Sequence, residues 1–106
     1  MPNKSKQKGN RFEREIVKTC ELHEVEATRA YGSDGRSLGM HSEVDVLILG
    51  GIQGNIKVQA KCRNKLPAYI KPNENVSIQC IKEDRGQIYV VQQFDDWLLM
   101  LKKIIY

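Results

Sequence analysis

The chain has 106 residues, of which 41% are hydrophobic and 28% are charged. This length supports one domain with a modest core and excludes a second core of similar size. No apolar run approaches the ~18 residues of a membrane span, and the Lys-rich start is not followed by the apolar segment of a signal peptide. We therefore expect a cytoplasmic protein that does not enter a membrane.

Basic side chains account for a net charge of +4 and are concentrated at two places. The first cluster comprises Lys4, Lys6, Lys8, Arg11 and Arg14, and the second comprises Lys57, Lys61, Arg63 and Lys65. Clusters of this kind neutralise phosphates, so they indicate a nucleic-acid backbone as the partner. A solvated basic tail without a partner is the alternative that charge alone leaves open.

The three cysteines, Cys20, Cys62 and Cys80, are an odd number and form no CxxC pair. A disulfide framework or a zinc site is therefore not indicated. We expect all three to be buried, reduced thiols.

Residues 1–9 are polar and are predicted to form a flexible arm, so that the folded domain would span residues 10–106. A helix is predicted from Asn10 to about residue 23, because apolar side chains recur every four residues at Phe12, Ile16 and Cys20. Asn10 would cap this helix, with Glu13 three positions later in the pattern of a capping box.

Strands dominate the middle of the chain. A first strand is predicted around residues 26–31, followed by a Gly- and Ser-containing loop over residues 32–41. The segment EVDVLIL (43–49) and the alternating segment IKVQAKCR (56–63) are predicted strands, and the short turn between them predicts an antiparallel hairpin.

The remaining elements are a second hairpin and a closing helix. Residues 66–75 are interrupted by prolines and leave room for about one helical turn. Residues 76–82 and 87–92 are predicted strands on either side of a turn. Residues 94–104 are predicted to form a helix, because acidic residues lie in its first turn and lysines in its last. The order predicts an α/β domain with a central mixed sheet flanked by helices.

Three polar residues of the first hairpin form a candidate catalytic group. Gln59 and Lys61 are two residues apart on one strand and so project together, and the hairpin can bring them beside Asp45 in the apolar run of the other strand. Oxygen ligands for Mg²⁺ next to an ammonium suit phosphodiester hydrolysis. A surface salt bridge between Asp45 and Lys61 is the alternative.

The segments GNRFEREIVK, ATRAYGSDG, EVDVLIL and VQAKCR resemble, in the same order, the archaeal-type Holliday junction resolvases of the PD-(D/E)xK nuclease superfamily. The resemblance covers about residues 8–65. It implies a restriction-endonuclease-like fold and a homodimer that cuts four-way DNA junctions with Mg²⁺, for which Mn²⁺ would substitute, leaving 5′-phosphate and 3′-hydroxyl ends. It also implies a role in archaeal or phage DNA recombination.

The resemblance assigns roles to individual residues. Glu13, Asp45, Gln59 and Lys61 would be catalytic, with Glu13, Asp45 and Gln59 holding the metal and Lys61 acting as the catalytic lysine. Arg14, Arg29 and Ser33 fall where the family contacts the phosphate backbone, and we add Lys8, Arg11, Arg36, Arg63 and Lys65 as DNA contacts from their charge. The structural alternatives are a helix cap for Glu13, a strand-surface charge for Arg29 and a turn role for Ser33.

Gln59 departs from the family, which normally carries a glutamate two residues before the lysine. The amide oxygen still ligates a cation, but one negative charge is lost, so metal affinity should fall. Glutamine is either a tolerated variant, or Glu43 supplies the charge, or the protein binds branched DNA without cutting it. That last reading and a nicking or restriction-type endonuclease are the two alternative functions.

Two further features bear on partners. The loop over residues 34–43 contains glycines and Arg36 and is predicted to be a mobile DNA-contacting segment, in which His41 is expected to be solvated. Residues 97–101 are five consecutive apolar residues, so the closing helix has an apolar surface beyond the face that covers the sheet. That surface and the family resemblance predict a homodimer.

Overall fold

A computed structural model describes residues 4–30, 34–51 and 54–105 and has the predicted α/β composition. Its elements in chain order are helix α1 (Lys4–Leu22), strand β1 (Ala27–Arg29), a short 3₁₀ helix (Gly35–Leu38), strands β2 (Val46–Gly51) and β3 (Gly54–Val58), strands β4 (Gln79–Ile81) and β5 (Tyr89–Val91), and helix α2 (Phe94–Ile105). No helix among these residues is long and apolar enough to cross a membrane.

Helix α1 begins six residues earlier than predicted. Lys4 to Gly9 are helical, so the boundary predicted at Asn10 is wrong, and Asn10 lies inside the helix instead of capping it. The six polar residues continue the helix because they include no proline and four good helix formers. The helix ends where Glu24 adopts a left-handed conformation and Val25 N–H donates to Cys20 C=O, the hydrogen bond of a Schellman motif.

The first three strands form an antiparallel sheet in the order β1-β2-β3. Val46 lies opposite Arg29 of β1 and Val58 of β3, and this register confirms the predicted hairpin of β2 and β3. Strands β4 and β5 form a separate two-stranded sheet, also antiparallel, which confirms the second hairpin. The single mixed sheet expected from the sequence is not formed by the described residues, because β4 and β5 are three residues each and pair only with one another.

Both helices cover the same face of the three-stranded sheet. Val46 and Ile48, which alternate to one face of β2, pack with Ile16 of α1 and with Leu98 and Leu101 of α2. Ile48 and Leu98 are fully buried, so the sheet contributes one face and each helix one stripe to a single core.

The described part of the loop after β1, which starts at Asp34, contains regular structure. Asp34 caps the short 3₁₀ helix by accepting the backbone N–H of Arg36. A Cβ on Gly35 would lie 2.0 Å from the backbone oxygen of His41, so only glycine fits where the loop folds back on itself.

The cysteines differ in environment more than the sequence predicts. Cys20 is fully buried and Cys62 is half-buried, but Cys80 in the middle of β4 is exposed, so the prediction that all three are buried is wrong. All three thiols are free, as expected. Burial in the core raises the pKa of Cys20 to about 11, with a smaller contribution from the nearby Glu21 carboxylate.

We expect this difference to appear in thiol titration of the folded protein at pH 8. Cys80 should react first and Cys20 last. The raised pKa gives Cys20 about a hundredfold less thiolate than a thiol of pKa 9.0 would have, and burial denies the reagent access to it. Cys80→Ser should remove the fast phase. Since the pKa of Cys20 in the folded protein lies above the ordinary thiol pKa of 9.0, stability should fall as pH rises from 9.0 towards 11. A fast phase that survives Cys80→Ser would contradict the assignment.

Candidate active site and basic cleft

Asp45 occupies the point where β2 and β3 stop pairing. Its backbone N–H donates to Val58 C=O at 2.8 Å, and its carboxylate Oδ2 accepts the N–H of Ala60 at 2.7 Å. The residue is only 9% exposed, so the carboxylate is held in a fixed position at the rim of the core. One carboxylate oxygen accepts the N–H of Ala60, and the other is an oxygen ligand of the kind that suits a hard cation.

The same contact explains why β3 is shorter than predicted. The sequence alternation predicts a strand over residues 56–63, but β3 ends at Val58. The Asp45 side chain takes the Ala60 N–H that the next ladder bond would use, so Gln59 and Lys61 lie beyond the regular strand. The prediction that both lie within a strand is therefore wrong, although their backbone stays next to Asp45.

Glu13 and Arg29 form an ion pair between α1 and β1. An Nη of Arg29 lies 3.3 Å from Oε1 of Glu13 and 3.4 Å from Oδ1 of Asn10. The Glu13 side chain is 4% exposed and that of Arg29 is 29% exposed. The buried Nε of Arg29 has no hydrogen-bond partner in the described part of the chain. Arg29 is thus a half-buried partner of the candidate metal ligand and not a free strand-surface charge.

Gln59 is exposed and lies beside α1 and α2. It lines one crevice with Phe12, Ile16 and Phe94 and a second with Trp97. No hydrogen bond joins Gln59 to Asp45 within the ranges described. Chain connectivity nevertheless keeps its backbone next to Asp45, because both neighbouring residues form hydrogen bonds with Asp45.

Lys61 lines a basic cleft with a volume of about 790 Å³. The cleft is lined by cations from both basic clusters of the sequence, namely Lys8, Lys61, Arg63 and Lys65, and by no acidic residue. Lys8 of α1 reaches across it and donates to Asn64 at 2.9 Å. The fold thus joins the two clusters into one positive surface, and no ion pair between Lys61 and Asp45 is found among the described residues.

The other predicted DNA contacts are distributed more widely. Arg11 and Arg14 are exposed on α1, and Arg36 is exposed on the 3₁₀ helix. Arg36 is paired with Asp34, and its side chain and backbone N–H hold the pKa of that carboxyl below its usual range. Ser33 lies outside the described residues.

Glu43 does not complete a metal site in this structure. Its side chain is 73% exposed and lies 3.9 Å from His41, which is 71% exposed, as expected for a solvated histidine. No three His, Cys, Asp or Glu side chains among residues 4–30, 34–51 and 54–105 converge as a metal-binding group. Mg²⁺ needs only one or two carboxylates beside amide oxygens and water, and the side-chain oxygens of Asp45, Glu13 and Gln59 are of that chemical type.

Two residues of the site were not identified from the sequence. Asn10 contacts Arg29, and Asn64 holds Lys8 across the cleft. Asn10 lies three residues before Glu13 in α1, so helical spacing would have placed both side chains on the same face. Asn64 carries no comparable signal, because its partner is 56 residues away.

The model of the archaeal Holliday junction resolvase family matches residues 4–104. The chain belongs to this family. Membership implies a nuclease that resolves Holliday junctions, binds junction DNA and takes part in recombination. No curated protein and no solved structure matches the chain.

Proposed function

We propose that this resolvase-family chain is a structure-selective endonuclease that cuts four-way DNA junctions by Mg²⁺-dependent phosphodiester hydrolysis on a restriction-endonuclease-like fold. The observation that carries the proposal is the family match over residues 4–104. The buried Asp45 carboxylate beside the basic cleft supports it.

Asp45, Gln59 and Glu13 are the residues that would hold the cation. Bound there, Mg²⁺ supplies the charge that activates water and stabilises the scissile phosphate. Ala60 fixes the Asp45 carboxylate, and Arg29 fixes that of Glu13. The ammonium of Lys61 would orient the attacking water or neutralise charge developing on the phosphate.

The basic cleft is the proposed binding site of the DNA backbone. Lys8, Lys61, Arg63 and Lys65 line it, and the exposed Arg11 and Arg14 extend the positive surface along α1. In this arrangement the cations would contact phosphates and not base edges, so selectivity would come from the shape of the junction. Affinity should therefore fall steeply with salt concentration.

A homodimer is part of the proposal, because a nearly two-fold symmetric junction needs two symmetric cuts. On α2, Leu99 is 56% exposed and Met100 is 50% exposed, which leaves an apolar surface on the helix outside the core. We propose that the dimer acts in the cytoplasm, in archaeal or phage recombination.

The second candidate is a branched-DNA-binding protein that does not cut. Gln59 favours it, because the amide removes a charge that the family normally carries. The lack of a three-residue acidic cluster in the described part of the chain agrees with a weaker metal site. A nicking or restriction-type nuclease is the remaining alternative and predicts equal cutting of linear duplex.

The test compares a labelled four-way junction with its matched linear duplex, in Mg²⁺ and in Mn²⁺, for the parent and Gln59→Glu. We expect paired symmetric cuts in the junction and little cleavage of the duplex. Gln59→Glu should saturate at a lower Mg²⁺ concentration, by about tenfold, because the site gains a negative charge.

The other outcomes separate the candidates. Selective binding without cutting by the parent, with cutting restored in Gln59→Glu, would establish the non-catalytic binder. Cleavage of duplex and junction at the same rate would favour the restriction-type nuclease. The absence of selective junction binding in both proteins would exclude the resolvase proposal.

A further inference from the structure

Residues 59–78 form a long connection between β3 and β4 that contains no helix or strand. Connections of such length without their own secondary structure are uncommon in compact domains and are usually functional or disordered. Here the backbone follows defined turns, including hydrogen bonds from Ile70 N–H to Pro67 C=O and from Val76 N–H to Asn73 C=O. The segment therefore presents its side chains from a folded loop.

Tyr69 is the most exposed residue among the large apolar side chains of this loop. It is 69% exposed and occupies a central position of the turn that Pro67 and Ile70 close. Pro67 and Pro72 restrict the backbone on either side of the ring. An aromatic ring held outward at the tip of a turn is not explained by packing, since it contributes little to the core.

The charge around Tyr69 fits a nucleic acid. From residue 57 to residue 73 the chain carries five basic residues and no acidic one. Lys65 lies four residues before Tyr69 and Lys71 two residues after it, and Lys65 also lines the basic cleft. Four residues span at most about 14 Å, so the Tyr69 backbone lies within that distance of the Lys65 backbone at the cleft.

We propose that Tyr69 stacks on a base face exposed at the branch point of the DNA whose backbone lies in the basic cleft. This inference rests on the proposed function. Aromatic side chains between cations are the usual platform for unpaired bases, because every base has a π-face. A four-way junction exposes such faces where helical stacking is interrupted, whereas linear duplex does not. Tyr69 would thereby favour branched DNA over duplex without reading sequence.

Tyr89 provides a matched control within the same chain. It is 60% exposed, but it lies on β5, and the turn that leads to this strand contains Glu83 and Asp84. That turn also contains Lys82 and Arg85 and so carries no net positive charge, and Tyr89 does not line the basic cleft, so a similarly exposed tyrosine there should not bind DNA.

The experiment measures the affinity of Tyr69→Ala, Tyr69→Phe and Tyr89→Ala for a four-way junction and its matched duplex, in Ca²⁺ or EDTA to prevent cutting. Tyr69→Ala should weaken junction binding about tenfold and leave duplex binding unchanged, since one base stack is removed. Tyr69→Phe and Tyr89→Ala should bind as the parent does. With 2-aminopurine at the branch point, Tyr69→Ala should also abolish the fluorescence change on binding.

Equal affinities of Tyr69→Ala and the parent would overturn the inference. An equal loss on junction and duplex would overturn it too, because it would indicate a backbone contact. If the parent does not select junctions, the proposed function fails separately. Binding to oligothymidylate then decides the role of Tyr69: a loss confined to Tyr69→Ala supports stacking, and no loss excludes it.

Discussion

Asp45→Asn should reduce cleavage of a four-way junction by at least about a thousandfold while leaving junction binding within about threefold of the parent. The amide keeps the volume of the carboxylate and an oxygen that accepts the N–H of Ala60, so the end of the hairpin should remain in place. What is lost is the negative charge that would hold the cation. A metal centre contributes several kcal/mol to such a transition state, and each 1.36 kcal/mol is tenfold in rate.

The measurement is single-turnover cleavage of a labelled junction in Mg²⁺, with binding followed separately in Ca²⁺. Asp84→Asn is the matched control, because Asp84 is an exposed carboxylate in the turn between β4 and β5. It should cut at the parental rate. If Asp45→Asn kept more than a tenth of the parental rate, Asp45 would not be the principal metal ligand.

Removing one member of the Glu13–Arg29 pair should destabilise the fold by about 3 kcal/mol. Arg29→Met keeps the aliphatic packing between β1 and α1 but leaves the Glu13 carboxylate, whose side chain is 4% exposed, without its guanidinium. Truncating one partner of a buried ion pair typically costs 3–5 kcal/mol, and the partial exposure of Arg29 places this pair at the lower end. The melting temperature should fall by roughly 12–20 °C for a domain of this size.

Thermal unfolding of three variants tests this expectation. Glu13→Gln/Arg29→Met should recover most of the stability lost in Arg29→Met, because the buried carboxylate charge is removed together with the guanidinium. Arg11→Met is the matched control, since Arg11 is exposed on the same helix, and it should change stability by less than about 0.5 kcal/mol. A loss in Arg29→Met no larger than in Arg11→Met would show that the pair is not structurally important.

Local sequence patterns were sufficient to predict whether most elements are helices or strands. The four-residue spacing of Phe12, Ile16 and Cys20 predicted α1, and these side chains do face the core. The alternation after Ile56 and the short turn before it predicted the hairpin of β2 and β3. Such patterns are readable because burial of one face imposes the period of the element on the sequence. The motifs in chain order also predicted the family that the match confirms.

Element boundaries and single contacts were harder to predict. The alternation of residues 56–63 continues past the end of β3, because the strand stops where the Asp45 side chain replaces a ladder bond. Nothing local to Asn10 shows that α1 already begins at Lys4. How far a helix extends at its end depends on small differences in helix propensity between residues that all tolerate the helical conformation.

The sequence by itself determined the α/β class, the two hairpins, the family and the residue types available for catalysis. Only the tertiary structure decided which of those residues meet. It joined Lys8 to a cleft with Lys61, Arg63 and Lys65, and it paired Glu13 with Arg29. Local patterns record which side of an element is buried, whereas contacts between residues 16 to 56 positions apart depend on how whole elements pack.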